Sequence, residues 1–174
     1  MGIQFETDYN METLTAMAKG LRKTVRKKRS RRVHIFAAVV LILGLLTILA
    51  TTAGGEPLGA SGVVTLLAML VVILVTVFED RLNAWFARKR LLPGTEHAVA
   101  TFEEDGYVSA TGVTESRFSY AQIVAVAETT RYFVFALSSH HTQAYDKRTI
   151  RGGSVEDFRA FIAEKTGKPI ANIK

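Results

Sequence analysis

The chain contains no cysteine, so neither a disulfide framework nor a thiolate metal site can form in it. Proline is scarce as well, with three copies at Pro57, Pro93 and Pro169, each close to a glycine. The prolines therefore divide the chain at turns and leave long uninterrupted stretches between them. The lack of disulfides suits a reducing compartment such as the cytoplasm.

Charged side chains are missing from two long runs, residues 33–53 and 58–78. An α-helix rises about 1.5 Å per residue, so each run can cross the ~30 Å hydrocarbon core of a bilayer. The short connection between them, residues 54–57, has the composition of a helix-breaking turn. Residues 33–78 are therefore predicted to form a transmembrane helical hairpin. Two core helices of a soluble fold would need a larger protein around them, and a cleaved signal peptide would be shorter.

Lysine and arginine lie before the first run and after the second, and the connecting turn has neither. Cations that flank a span stay on the cytoplasmic side of the membrane. Both termini are therefore expected in the cytoplasm, with only the turn outside. The predicted protein is an integral, multi-pass protein of the cell membrane.

Residues 1–32 are predicted to form an N-terminal strand and a basic amphipathic helix. Ile3 and Phe5 alternate with polar residues, and Asn10 is placed to cap the helix that follows. We expect that helix to run without a break from Met11 into the membrane. We also expect Ile3 and Phe5 to add a strand to the C-terminal sheet, the alternative being a frayed chain end.

The same segment carries a dense group of cations. These attract anionic lipid headgroups and set topology, and no aromatic residue interleaves them to stack on nucleic-acid bases. We therefore expect lipid or partner contacts here and no nucleic-acid binding. The candidate residues are Arg22, Lys23, Arg26, Lys27, Lys28, Arg29, Arg31 and Arg32.

Residues 79–92 extend the second helix, and Trp85 with Phe86 suits a membrane interface. Residues 93–174 then change to short alternating strands, predicted at 97–102, 107–111, 116–119, 124–129, 132–137 and 142–146. A helix follows, with Ser154 and Asp157 spaced as a capping box. The predicted fold class is α+β: a transmembrane hairpin with a small antiparallel β domain closed by a C-terminal helix.

No motif in the chain has the spacing of an active site. His140 and His141 are neighbours, and adjacent residues of a strand point to opposite faces, so they are poorly placed to share a metal. The pair Gly152-Gly153 lacks the Lys-Ser/Thr ending of a phosphate loop. We expect no enzymatic activity, no metal and no cofactor.

Three short motifs carry a resemblance to a known family. They are F-x-x-D-G-Y from Phe102 to Tyr107, S-Y-x-x-I from Ser119 to Ile123, and Y-F-V-F from Tyr132 to Phe135. With these the chain resembles the YcxB-like bacterial membrane proteins. The resemblance implies two transmembrane helices and a cytoplasmic, pleckstrin-homology-like C-terminal domain in a bacterial cell membrane. It implies no activity for any residue.

Two functions remain open at this point. The first is a membrane-anchored scaffold that recruits a protein partner at the inner face of the membrane. The alternative is a sensor or regulator of lipid or envelope state that contacts anionic lipid through Lys147, Arg148 and Arg151 together with the basic segment. The partner is unidentified, and self-association into a homo-oligomer stays open.

Overall fold

A computed structural model describes residues 2–55 and 57–173, so Glu56 of the predicted turn lies outside the described residues. The chain divides into two compact units, Met1–Lys27 with Asn83–Lys174, and Lys28–Leu82. This division differs from the predicted boundaries at residues 32 and 93, because the N-terminal strand and helix pack with the C-terminal strands.

The helices and strands in chain order are β1 (Ile3–Asp8), α1 (Met11–Lys23), α2 (Lys27–Ala53), α3 (Ala60–Val77), α4 (Glu79–Lys89), β2 (His97–Phe102), β3 (Tyr107–Thr111), β4 (Glu115–Phe118), β5 (Ala125–Glu128), β6 (Tyr132–Ala136), β7 (Thr142–Asp146), α5 (Val155–Thr166) and β8 (Ile170–Asn172).

Helices α2 and α3 are long and apolar enough to cross a membrane. Only Ala37 of α2 and no residue of α3 is buried inside the protein, unlike the core helix of a soluble fold. The two helices approach each other closely at Gly44, where a Cβ atom would lie 2.8 Å from Sδ of Met69. Small residues at such crossings let the backbones of membrane helices pack together.

The predicted continuous helix from Met11 is wrong, because α1 ends at Lys23 and α2 begins at Lys27. Thr24 leaves the helical conformation with φ −108° and ψ −94°. Its hydroxyl donates to the carbonyl oxygen of Gly20 at 2.7 Å. This bond satisfies a carbonyl at the end of α1. The i→i−4 pattern is interrupted after it, because the amide of Arg26 donates to the carbonyl oxygen of Leu21 at 2.9 Å.

The strands form two four-stranded sheets. The first has the order β1-β2-β3-β4 and is antiparallel throughout, while the second has the order β7-β6-β5-β8. Strand β1 pairs with β2, so that Phe5 lies opposite Ala100, and Ile3 and Phe5 are buried in the core. The predicted N-terminal strand is confirmed. Strand β8, parallel to β5, was not predicted because its three residues are too few to show a period.

Aromatic side chains fill the space between the two sheets. Phe5, Phe102, Phe133, Phe135 and Phe158 are all fully buried and contact one another through their rings. Helix α5 supplies Phe158 and closes one side of this core. Its start follows the predicted capping box, since the amide of Asp157 donates to Oγ of Ser154 at 3.0 Å and the amide of Ser154 donates back at 3.1 Å.

Helix α1 covers the other face of the second sheet. Ala16 and Met17 pack against a buried cluster that includes Val134 and Ala144. Gly20 lies so close to β6 that a Cβ atom there would be 2.7 Å from Cγ1 of Val134. Strand β6 is buried along its whole length because the aromatic core lies on one side and α1 on the other.

Candidate binding cleft

A cleft of about 280 Å³ opens in the unit that contains the β strands. It is bounded by the first turns of α1, the ends of β3 and β4, and the start of β7. The residues that line it are Tyr9, Leu14, Met17, Leu91, Thr95, Ser109, Thr111, Thr114, Ser116, Phe118, His141, Thr142 and Gln143. Hydroxyl groups are the most frequent polar groups in this lining.

The cleft exists because the inner face of the first sheet changes along its strands from aromatic side chains to small hydroxyl side chains. Tyr107, Ser109 and Thr111 alternate along β3 and so share one face, and Tyr107 belongs to the aromatic core. Ser116 of β4 lies opposite Ser109. Small hydroxyl side chains cannot fill the space that an aromatic ring fills at Tyr107. The space between the sheets is therefore left open at this end and lined with polar groups.

Gln143 lines the cleft although its side chain is almost fully buried, at 7% exposure. Its Oε1 atom accepts hydrogen bonds from the hydroxyls of Tyr107 and Tyr145, both at 2.7 Å. These two bonds fix the orientation of the amide and leave the two N–H donors of Nε2 available. No buried side-chain nitrogen or oxygen in residues 2–55 and 57–173 lacks a partner, so we infer that Nε2 is reached from the open cleft.

Among the described residues, the lining contains one imidazole, that of His141, and no carboxylate, ammonium or guanidinium group. Burial raises the pKa of Tyr9 to about 12, and a hydrogen bond with the backbone of Ala144 lowers this pKa by a smaller amount. Burial likewise raises the pKa of Tyr107 and of Tyr145, so these phenols stay protonated and keep their bonds to Gln143. The site suits an uncharged group that offers hydrogen-bond acceptors.

The predicted basic segment separates into exposed and engaged cations. Lys23, Lys27, Lys28, Arg29, Arg31 and Arg32 are exposed. Arg22 is half-buried and already has an interaction partner. Arg26 is bound to the β6–β7 turn, where its Nε donates to the carbonyl oxygen of Ser139 at 2.7 Å and its guanidinium contacts Nδ1 of His140 at 2.9 Å.

Lys147 does not lie where a lipid-binding cation is expected. Its side chain is 13% exposed, and its Nζ lies 2.6 Å from Oε1 of Glu128, a carboxylate that also binds Arg159 at 2.8 Å. The hydrogen bond from Arg159, followed by that from Lys147, lowers the pKa of Glu128 to about 2 despite its desolvation. The assignment of Lys147 to a lipid site is corrected here, because its charge balances a buried carboxylate.

Arg148 and Arg151 stay at the surface, with side chains 64% and 68% exposed. Each is paired with an acid, Arg148 with Asp146 at 2.9 Å and Arg151 with Glu6 at 3.1 Å. The Arg151–Glu6 pair contributes little to stability, so Arg151 can exchange its partner for another anion at small cost. The Arg148–Asp146 pair differs, because the Asp146 carboxylate is only 7% exposed and has Arg131 as a second partner. The sequence did not show these pairings, because both acids come from distant or buried strand positions.

The side chains of the two adjacent histidines have different surroundings. His140 contacts Arg26, whereas His141 lines the cleft beside Phe118, with ring centroids 6.3 Å apart. No group of three or more His, Cys, Asp or Glu residues in the described part of the chain is arranged to hold a metal ion. Gln143 was not among the predicted site residues, although an amide within the buried strand T-Q-A-Y-D is a signal that sequence inspection can detect.

Comparison with models of known protein families gives a match in the strand-containing part of the chain. Residues 102–162, from the end of β2 into α5, match the family described as YcxB-like protein. The resemblance to YcxB-like proteins is thereby confirmed for this stretch, and α2 and α3 agree with a membrane protein of that type. No curated protein and no solved structure matches the chain.

Proposed function

We propose that this chain, which carries a YcxB-like region, is a membrane-anchored binding module. In this proposal α2 and α3 span the cell membrane of a bacterium, and the β domain lies in the cytoplasm. The domain holds an uncharged stretch of a protein partner in the cleft and so recruits that partner to the inner face of the membrane. No catalytic step, metal or cofactor is part of the proposal.

Topology is supported by two independent observations. The cations flank the two apolar helices on the same side, and such residues are retained in the cytoplasm. Strand β1 precedes both helices, and its partner β2 follows both. Two strands of one sheet must lie on the same side of any bilayer, so an even number of crossings between them is required.

The arrangement of strands also supports the pleckstrin-homology-like fold that we propose for the domain. Two four-stranded sheets enclose one aromatic core, and a C-terminal helix packs on it. Folds of this type act as recognition modules through sheet edges and grooves. Here α1 from the N-terminal segment covers the second sheet, and the cleft remains open beside it. A second concave surface adjoins it at Tyr9 and Leu91, and its lining includes the charged side chains of Asp8, Arg88 and Glu96.

The observation that carries the proposal is the buried Gln143 amide in a cleft whose described lining has no Asp, Glu, Lys or Arg. A peptide carbonyl would accept from its Nε2, and an apolar side chain of the same segment would pack against Phe118 and Leu91. The volume lies just below the ~300–1,000 Å³ range of pockets for drug-sized ligands. The cleft therefore fits a short stretch of a partner, with further contacts at its rim.

The test uses a photo-crosslinking amino acid placed in the full chain in cells. Position Thr114 at the rim of the cleft is compared with Thr130, an exposed threonine in the β5–β6 turn. We expect a discrete protein adduct from the first position and not from the second. A further change, Ser116→Trp, fills the cleft and should remove the adduct.

An adduct that persists in the Ser116→Trp background would contradict the cleft as the binding site. Equal adducts from the two positions would do the same. An adduct with a second copy of this chain would show that the partner is another protomer, which settles the open question of self-association.

A second candidate function, contact with anionic lipid, rests on the exposed cations of the basic segment with Arg148 and Arg151. Each exposed cation near an anionic surface contributes roughly 1 kcal/mol, and screening by salt weakens it. The double variant Arg148→Gln, Arg151→Gln should lower the retention of anionic lipid by the purified chain. Lys168→Gln, another basic residue of the same domain, serves as the matched control. Equal retention by both variants would exclude these two arginines.

A further inference from the structure

Outside the two apolar helices, the exposed large apolar side chains are not scattered evenly. Among the described residues of the unit that holds the strands, they are Trp85, Phe86, Leu92, Val113 and Val124, between 44% and 69% exposed. The first three follow one another along α4 and the turn after it. Val113 lies at the tip of the β3–β4 hairpin. Only Val124 belongs elsewhere, before β5.

A specific turn joins the hairpin tip to the end of α4. Residues 92–95 read L-P-G-T, and the amide of Thr95 donates to the carbonyl oxygen of Leu92 at 3.1 Å. Gly94 has φ +85°, which with proline before it is typical of a type II turn. The amide of Gly112 donates to the carbonyl oxygen of Gly94 at 3.0 Å.

Gly94 is also the point where the two loops touch. A Cβ atom there would lie 2.6 Å from Cγ1 of Val113, so only glycine permits the contact. The turn and the hairpin tip are therefore held together, and both present an apolar side chain to the outside. We call Leu92 and Val113, with Trp85 and Phe86, the apolar patch.

The chemistry around the patch is that of a membrane interface. Trp85 and Phe86 contact each other edge to face at 4.9 Å, and Nζ of Lys89 lies 3.6 Å over the Trp85 ring. Arg88 and Arg90 are further cations of the same segment. Aromatic rings and long basic side chains occur together at the level of lipid headgroups, where the ring is partly desolvated and the cation reaches phosphate.

Chain continuity favours lipid over a soluble protein as the occupant of the patch. Helix α4 begins at Glu79, directly after Phe78, the residue that caps the apolar helix α3. Its 11 residues extend about 16 Å. Trp85, Phe86 and Leu92 thus follow shortly in the chain after a helix that can span a bilayer, so a lipid surface is within reach of these side chains.

We propose that Leu92 and Val113 insert into the headgroup region of the membrane and dock the β domain on the bilayer surface. The inference rests on membrane anchoring and is independent of the cleft and of its partner. The docked loops also contribute Leu91, Thr95, Thr111 and Thr114 to the rim of the cleft, so docking would fix where the cleft opens.

The test exploits the single tryptophan of the chain. In a Trp85→Phe background, one variant carries Val113→Trp and its matched control carries Val124→Trp, another exposed valine of the same domain. The full chain is reconstituted in nanodiscs, and quenching of the fluorescence by brominated lipid is measured. We expect quenching at position 113 to exceed that at position 124 by about twofold or more, with emission shifted to the blue.

Equal quenching at the two positions, or stronger quenching by aqueous iodide at 113, would overturn the proposal. A second pair of variants guards against an effect of the introduced ring. With Trp85 retained, the double change Leu92→Asp, Val113→Asp should weaken the quenching of Trp85 by brominated lipid, whereas Val124→Asp should not. Unchanged quenching in both would show that α4 contacts lipid without the hairpin tip. The crosslinking test of the cleft detects a protein adduct, whereas this test measures quenching by lipid. A negative result in one test therefore leaves the other proposal unaffected.

Discussion

The rings of Phe5 and Phe158 meet edge to face in the domain core, with centroids 4.6 Å apart, although both apolar helices separate them in the chain. Phe5 also contacts Phe102, Phe133 and Tyr145. The first strand of the protein is thus the centre of a core whose other members all follow the second span. The domain can be completed only when both ends of the chain are on one side of the membrane.

Phe5→Ala should therefore destabilise the domain far more than its terminal position suggests. The ring is fully buried, and removing a buried phenylalanine costs about 3–5 kcal/mol in transfer energy and cavity formation. Thermal unfolding of the purified chain, read by near-ultraviolet circular dichroism, measures the change. Val124→Ala, at a position 51% exposed, is the control and should shift Tm little. Similar Tm values for the two variants would contradict the central role of β1.

Gly20→Ala tests the contact of α1 with the second sheet. Alanine favours a helix by about 1 kcal/mol over glycine, so a freely exposed site would gain stability. Here the new methyl group would clash with the stiff side chain of Val134, and we expect a net loss of about 1–3 kcal/mol. Val134→Ala in the same chain should recover part of that loss. A double-mutant cycle on the free energy of unfolding gives the coupling, and additive effects would show that the two residues do not touch.

The carboxylate of Glu128 should make stability depend on pH in acid. Its pKa falls from 4.5 to about 2 on folding, so its contribution is complete above about pH 4.5 and is lost as the pH falls towards 2. Glu128→Gln should flatten the pH profile of unfolding in this window. At neutral pH it should cost about 3 kcal/mol, because Lys147 then keeps a largely buried charge without its carboxylate. Adding Lys147→Met to Glu128→Gln should restore part of this lost stability. If the pH profile of Glu128→Gln is as steep as that of the parent, the pH dependence does not come from Glu128.

The absence of cysteine allows a direct test of topology. A cysteine replacing Gly55, in the turn between α2 and α3, should react with a membrane-impermeant maleimide in intact cells. A cysteine replacing Ser138, in the exposed β6–β7 turn, should react only after the membrane is opened. Labelling of position 138 in intact cells would place the β domain outside and refute the cytoplasmic assignment.

Several features followed from local sequence alone. The apolar runs at 33–53 and 58–78 predicted the two long apolar helices, because an uncharged run of that length is a local property of the sequence. Helix α2 nevertheless begins earlier, at Lys27, within the basic segment. The strands at 97–102, 107–111 and 142–146 have the bounds that their alternation predicted. The start of α5 at Ser154 was likewise local, because a capping box satisfies backbone groups within four residues.

Other features depended on tertiary contacts. The helix break after Lys23 was not predicted, since no proline or glycine marks residues 24–26. The contact that holds α1 against the second sheet, between Gly20 and Val134, joins residues far apart in the chain. Lys147 was predicted to be a surface cation, but it pairs with the buried carboxylate of Glu128, which comes from the separate strand β5. Sequence periodicity reports which face a residue shares with its near neighbours, and it carries no information about which distant charge lies opposite.

Part of the cleft likewise followed from local sequence, and part depended on tertiary contacts. That Ser109 and Thr111 follow Tyr107 on one face of a strand was fixed by the alternation of side chains. That this face is the inner one, and that Gln143 of β7 lies across from it with its oxygen held by Tyr107 and Tyr145, required two sheets to pack together. The sequence determined the elements and their faces because those depend on neighbours along the chain. Only the tertiary structure decided the site, because a cleft is made of residues brought together from separate strands.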